Sequence, residues 1–277
     1  MLGHKLFLGL GEAFEVHGSV RSEPAALRDH GIFTTANTVF ERDMLHPGDL
    51  ERTLDEVSPD AVVNAIGIVK QRPVSADVLV SLELNAVLPH RLARLCADRG
   101  ARVIHISTDC VFAGTRGDYT EDDISDATDV YGRTKQLGEV TGPGCLTLRT
   151  SIIGLELARF RSLIEWFVRQ KGTVPGFRRA IFSGLTTVEL TRVIGRVLAD
   201  HPELSGLFHV ASQPISKFDL LARFADLAGM DVDVVPDDKT AIDRSLNGTK
   251  FFQATGYSAP PWDRMLAELA EEYKARG

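Results

Sequence analysis

Residues 101–109 read ARVIHISTD, an apolar run that ends in two hydroxyls and a carboxylate. Val103, Ile104 and Ile106 fall on both faces of a strand, and a strand buried on both faces of a parallel sheet carries such a run. Its end matters most, because open α/β sheets bind ligands at the carboxyl ends of their strands. Upstream, residues 61–66 (AVVNAI) read as a second buried strand and residues 14–20 as another. Downstream, residues 145–149 (CLTLR) repeat the pattern. Residues 84–98 lie between two of these runs and place Leu88, Leu92 and Leu95 at helical spacing. Strand and helix alternate to about residue 150, which predicts an α/β fold with a doubly wound parallel sheet covered on both faces.

Past residue 150 the alternation loosens. Residues 161–170 read as a helix, and 172–179 as a Gly/Pro/Arg-rich connection. Residues 187–199 form another helix, and 206–211 (GLFHVA) a strand returning to the sheet. Residues 216–229 are helical with Ser216 as the cap. Residues 261–276 are amphipathic, with Met265, Leu266 and Leu269 on one face. The division expected is a sheet domain over 1–155, to which 185–212 return, and a smaller C-terminal lobe from 156–184 and 213–277.

Bulk properties bound the function. The chain has 277 residues, 44% hydrophobic and 25% charged, with a formal net charge of −7. A nucleic-acid surface calls for a basic balance, so none is expected. The three cysteines, Cys96, Cys110 and Cys145, fit neither a disulfide framework nor a zinc motif, which points to a reducing, cytoplasmic setting. The eight histidines form no metal pair at helical spacing, so no metal is expected. His105 and His209 sit inside apolar runs and read as core residues. No apolar stretch approaches the ~20 residues of a membrane span, and the opening MLGHKLFLGLGEAF is too short and glycine-broken for a secretory signal.

Chemistry concentrates at residues 131–135, YGRTK. On a helix, Tyr131 and Lys135 share a face. A nearby cation favours the phenolate and lowers a phenol from its usual value of about 10, so Tyr131 reads as a proton donor to a developing alkoxide. Thr108, at the end of the central strand, can hydrogen-bond the same carbonyl.

Together with NAIG (64–67), Asn85, STDCVFAG (107–114), YTEDD (119–123) and Glu139, these residues resemble the extended short-chain dehydrogenases. More narrowly, the chain resembles their dTDP-4-dehydrorhamnose reductase branch, over most of the chain to about residue 155. The resemblance implies a Rossmann-type doubly wound parallel sheet with a smaller C-terminal substrate lobe. It implies reduction of an NDP-4-keto-6-deoxy sugar with NADP(H), NAD being possible. Thr108, Tyr131 and Lys135 match the catalytic positions. Ser107 and the turn Asn64, Ala65 and Gly67 match cofactor positions, and Asp43 matches an adenine contact. Arg21 follows the second strand, where an arginine accommodates the extra phosphate of NADP and an acid binds the ribose of NAD. A nucleotide sugar is the expected partner, and a homodimer is a possible assembly.

Two departures stand out. The family opens with a strand and a glycine-rich turn ending in Met-Leu-Gly-His, and this sequence opens at those four residues with Gly3 alone of the glycines. The expectation is a start placed at an internal methionine, with a true truncation and weakened cofactor site as the alternative. In the lobe, residues 176–186 (GFRRAIFSGLT) replace the reductase pattern. Arg178 and Arg179 there are candidates to clamp a diphosphate, and residues 243–246 (DRSL) resemble the family's late substrate-binding segment, which makes Arg244 a substrate-binding candidate. The alternative functions are a sugar-nucleotide epimerase or dehydratase, and a non-catalytic subunit resembling the regulatory subunit of methionine adenosyltransferase.

Overall fold

The computed structural model describes residues 1–46, 48–68, 77–158 and 160–276. Its first half carries helices α1 (Leu2–Gly9), α2 (Pro24–Leu27), α3 (Asp49–Val57), α4 (Val78–Leu82), α5 (Leu88–Ala97) and α6 (Val130–Leu137). Strands β1 (Gly18–Ser19), β2 (Thr38–Val39), β3 (Ala61–Asn64), β4 (Arg102–Thr108) and β5 (Cys145–Thr150) alternate with them. The second half adds the short strands β6 (Ile152–Ile153), β7 (Gly172–Phe177), β8 (Ala180–Phe182) and β9 (Leu185–Thr186). It continues with β10 (Gly206–His209), β11 (Ile215–Ser216), β12 (Val232–Asp237) and β13 (Ile242–Asp243). Its helices are α7 (Leu163–Phe167), α8 (Thr187–Asp200), α9 (Lys217–Ala228), α10 (Thr249–Thr255) and α11 (Trp262–Lys274).

The central sheet is parallel, in the order β10-β5-β4-β3. Every residue of β5 is buried, as expected of an inner strand covered on both faces. One side is covered by α3 and α5, through Leu50, Leu54, Leu88 and Leu92 against Val103. The other is the larger core, where Ile104, Leu146 and Leu148 meet Leu190 and Ile194 of α8 and Leu266 and Leu269 of α11. This is the Rossmann-type α/β architecture expected.

Three elements differ from the sequence reading. Residues 61–64 are an edge strand and not a buried one, because β3 pairs with β4 alone among the described residues. Val62 and Val63 are left half-buried. Residues 14–20 give only the two-residue β1, since the chain is still turning at Phe14, whose N–H bonds Leu10 O. Residues 172–179 are no loop: β7 pairs in parallel with β12 over six residues. The opening residues form α1, whose Leu2 and Leu6, with Leu10, are buried in the core that also holds α8.

The second half also forms two small sheets, β11-β8-β13 and β12-β7. Its helix α9 starts at Ser216, whose hydroxyl accepts from Asp219 N, and stops at Gly229 with φ 69°. The three cysteines are free, and no helix among the described residues is long and apolar enough to cross a membrane.

Candidate active site

The junction of β4 and α6 brings the reactive side chains together. Thr108 ends β4 and caps the turn that follows: its Oγ1 accepts from Cys110 N at 3.1 Å and donates to Asp109 Oδ1 at 3.2 Å. Asp129 caps α6 by accepting from Gly132 N at 2.8 Å. Gly132 then sets the approach, since a Cβ there would strike the Cys110 carbonyl oxygen and lie 2.5 Å from Ala127 Cβ. With no side chain in the way, the first turn of α6 sits on the turn after β4. Tyr131 lies across that contact, where Thr108, Asp109 and Cys110 act on its phenol.

At the other end of α6, Gly138 abuts the carbonyl of Asn85 so closely that a Cβ would overlap it. Asn85 lies in a π-helical turn at Glu83–Val87, a distortion that concentrates at functional sites. The fully buried Asn85 amide accepts from Ile68 N at 2.9 Å and donates to Thr134 Oγ1 at 3.2 Å. It thereby ties the loop after β3 to α6. The sequence reading quoted Asn85 without a role; the signal available was a polar residue on the apolar side of a helical pattern.

Lys135 is buried, and its Nζ donates to the Ile106 carbonyl oxygen at 2.7 Å and lies 3.3 Å from His105 Nε2. Burial pushes its ammonium down to about 8, with Glu139 opposing. The expectation that Lys135 lowers Tyr131 is corrected here. Burial pushes the phenol up, Cys110, Asp109 and Asp129 add to the rise, and Thr108 works against it. A phenol so placed stays protonated through neutral pH and can donate. Asp109, deeply buried beside it, is raised by burial against the pull of Arg244.

The remaining candidates separate. Asn64 turns its side chain inward, to His105 and Ile66 N, while Ala65 and Ile66 are exposed at the carboxyl end of β3. Gly67 faces Asn85, with a Cβ position 3.3 Å from Oδ1. Ser107 donates to Glu139 Oε1 at 2.7 Å, so its hydroxyl serves the buried Glu139–Arg149 pair. Arg21 and Asp43 lie together at 3.8 Å, both exposed. Gly3 sits on an exposed turn of α1 with nothing within 4 Å of its Cβ position. Arg178 is paired with Asp238, and the Arg179 carbonyl accepts from Ile242 N. Arg244 is brought to the site, donating to Phe112 O at 2.8 Å with Cys110 Sγ 3.8 Å from its Nη1.

The sequence model of one family, the RmlD substrate binding domain, matches residues 18–275. The chain belongs to this family. A relative in it, the dTDP-4-dehydrorhamnose reductase of Salmonella typhimurium, is 28% identical over 266 residues, covering 83% of this chain and 86% of its own. The dTDP-4-dehydrorhamnose reductase of Escherichia coli K12 is 26% identical over 268 residues, 90% of this chain and 84% of that one. Among solved structures, the dTDP-4-dehydrorhamnose reductase of Bacillus anthracis in complex with NADP superposes with a TM-score of 0.74 at 18% identity. That likeness covers 92% of this chain and 99% of the other, and it speaks for the fold.

Proposed function

We propose that this protein reduces the ketone of a nucleoside-diphosphate 4-keto-6-deoxyhexose with NADPH, NADH being the weaker alternative. The observation that carries the reading is a protonated Tyr131 placed beside Thr108 at the carboxyl end of β4, in a chain whose relatives are named dTDP-4-dehydrorhamnose reductases. The donors present suit a phosphorylated dinucleotide. Arg21 offers a guanidinium that is 65% exposed beside Asp43. Lys135 gives one N–H to Ile106 O and, as amine or ammonium, keeps another for a ribose hydroxyl. Exposed Ala65 and Ile66 give the loop after β3 an apolar surface for a flat ring.

When bound, the nicotinamide supplies the hydride. The chain's own part is orientation and proton supply. Thr108 holds the sugar carbonyl oxygen by its hydroxyl, and Tyr131 delivers the proton that the oxygen needs as it becomes an alcohol. Arg244, beside Cys110, offers a guanidinium to the diphosphate; Arg178 and Arg179 are proposed as outer contacts of the sugar nucleotide. A homodimer is the proposed assembly, supported by Leu79 and Leu137, exposed on the neighbouring helices α4 and α6, and sedimentation of the purified chain tests it. The function is tested by following NADPH absorbance with a panel of 4-keto and 4-hydroxy sugar nucleotides. A reductase consumes NADPH with the ketones alone. An epimerase or dehydratase turns substrate over with no net change in cofactor, and a regulatory subunit does neither.

A further inference from the structure

His105 is fully buried between two site residues. Its Nδ1 lies 3.1 Å from Asn64 Nδ2 and its Nε2 lies 3.3 Å from Lys135 Nζ. The Asn64 amide is oriented from outside the pair, because its Oδ1 accepts from Ile66 N at 3.1 Å and so turns Nδ2 toward the ring. An amide nitrogen only donates, so the ring nitrogen facing it carries the lone pair. Burial holds the imidazole well below its usual pKa, so it is neutral and its one proton sits on Nε2. An Nε2–H pointed at a lysine nitrogen needs a lone pair there. The neutral amine has one, and it still has an N–H for Ile106 O; the ammonium has none.

We infer that His105, oriented by Asn64, is a positioning residue that favours the amine form of Lys135 and so sets the pH at which this lysine takes up its charge. The inference rests on the assignment of Lys135 to the active site. The groups facing the pair are Glu139, which favours the ammonium, the Ile106 carbonyl, and Lys135 itself acting on His105. His90 lies on α5 and disfavours charge on His105. Tyr131 is one turn back along α6. Across this set the Asn64–His105 contact is the adjustable one, because a single atom change at residue 64 inverts the ring's tautomer.

Nuclear magnetic resonance of the whole chain labelled with 15N at histidine and lysine tests this without reference to turnover. The expected result is His105 in its Nε2–H tautomer. An Nδ1–H tautomer or an imidazolium at neutral pH overturns the proposal. In Asn64→Asp, the carboxylate accepts from Nδ1–H, the tautomer inverts, and the Lys135 titration moves up by about one pH unit, a tenfold change in its protonation constant. In a His105→Phe background, where the ring that transmits the effect is gone, the rise that Asn64→Asp adds over His105→Phe alone is expected to shrink to a third or less. A rise of undiminished size is through-space charge alone and contradicts a role for His105. Should the substituted chains fail to fold, the tautomer in the parent decides by itself. Failure of reductase activity leaves these readings unaffected, so the two claims fall separately.

Discussion

Lys135 Nζ donates to the carbonyl oxygen of Ile106 at 2.7 Å, which fixes a buried lysine at the strand end where Thr108 and Tyr131 meet. Burial pushes it down to about 8. Lysine is charged below its pKa, so the ammonium is complete near pH 6 and is lost as pH rises through about 8. If it binds the cofactor ribose, NADPH affinity falls across that interval by about tenfold or more, the worth of a hydrogen bond from a charged group. Lys135→Met binds weakly at every pH and loses the step. Calorimetric titration from pH 6 to 10 measures this, and a flat parent profile contradicts it.

Glu139 and Arg149 form a buried bidentate pair, Nη2–Oε2 and Nε–Oε1 both at 2.7 Å. Glu139→Ala leaves the guanidinium buried without its counter-charge and removes the acceptor of Ser107. A loss of about 3–5 kcal/mol in unfolding free energy is expected. Ser107→Ala removes one neutral donor and is expected to cost about 1 kcal/mol. Chemical denaturation of the two variants gives the comparison.

Gly132→Ala drives a methyl into the Cys110 carbonyl and Ala127. Overpacking of this kind costs about 1–3 kcal/mol. The helix moves away from the turn after β4, taking Tyr131 from Thr108, so turnover falls more than substrate binding does. Melting temperature and steady-state kinetics on the same preparation separate the two effects.

The sheet and the Thr108, Tyr131 and Lys135 cluster were legible because both depend on local pattern: unbroken apolar runs for β4 and β5, and four-residue spacing for the pair on α6. The edge position of β3 is hidden from the sequence because AVVN looks the same whether or not a second strand lies beside it. The reading of residues 172–179 as a connection failed because glycine and proline in β7 suppress a strand signal that pairing with β12 supplies from sixty residues away. The environment of Tyr131 was invisible for a related reason. Spacing places Lys135 on the same face, but the direction of its Nζ is set by Ile106 and His105 on another element.

Arg21 and Asp43 lie 3.8 Å apart on the surface. Arg21→Asp replaces the cation with a charge that repels the extra phosphate of NADP, next to a carboxylate already present. The ratio of kcat/KM for NADPH over NADH is expected to fall by about tenfold or more, the worth of one charge-assisted contact. An unchanged ratio places Arg21 away from the cofactor.

Tyr131 is proposed to protonate a sugar ketone as hydride reaches its carbon. Incubating the chain with dTDP-4-keto-6-deoxyhexose and NADPH deuterated at the transferable position, then weighing the sugar product by mass spectrometry, tests it directly. One deuterium is expected on the reduced carbon in the parent. Tyr131→Phe is expected to give the same product at a rate lower by about 10²–10⁴-fold, the usual worth of a positioned acid, with melting temperature little changed. A product without deuterium, or a Tyr131→Phe variant that turns over at the parental rate, contradicts it.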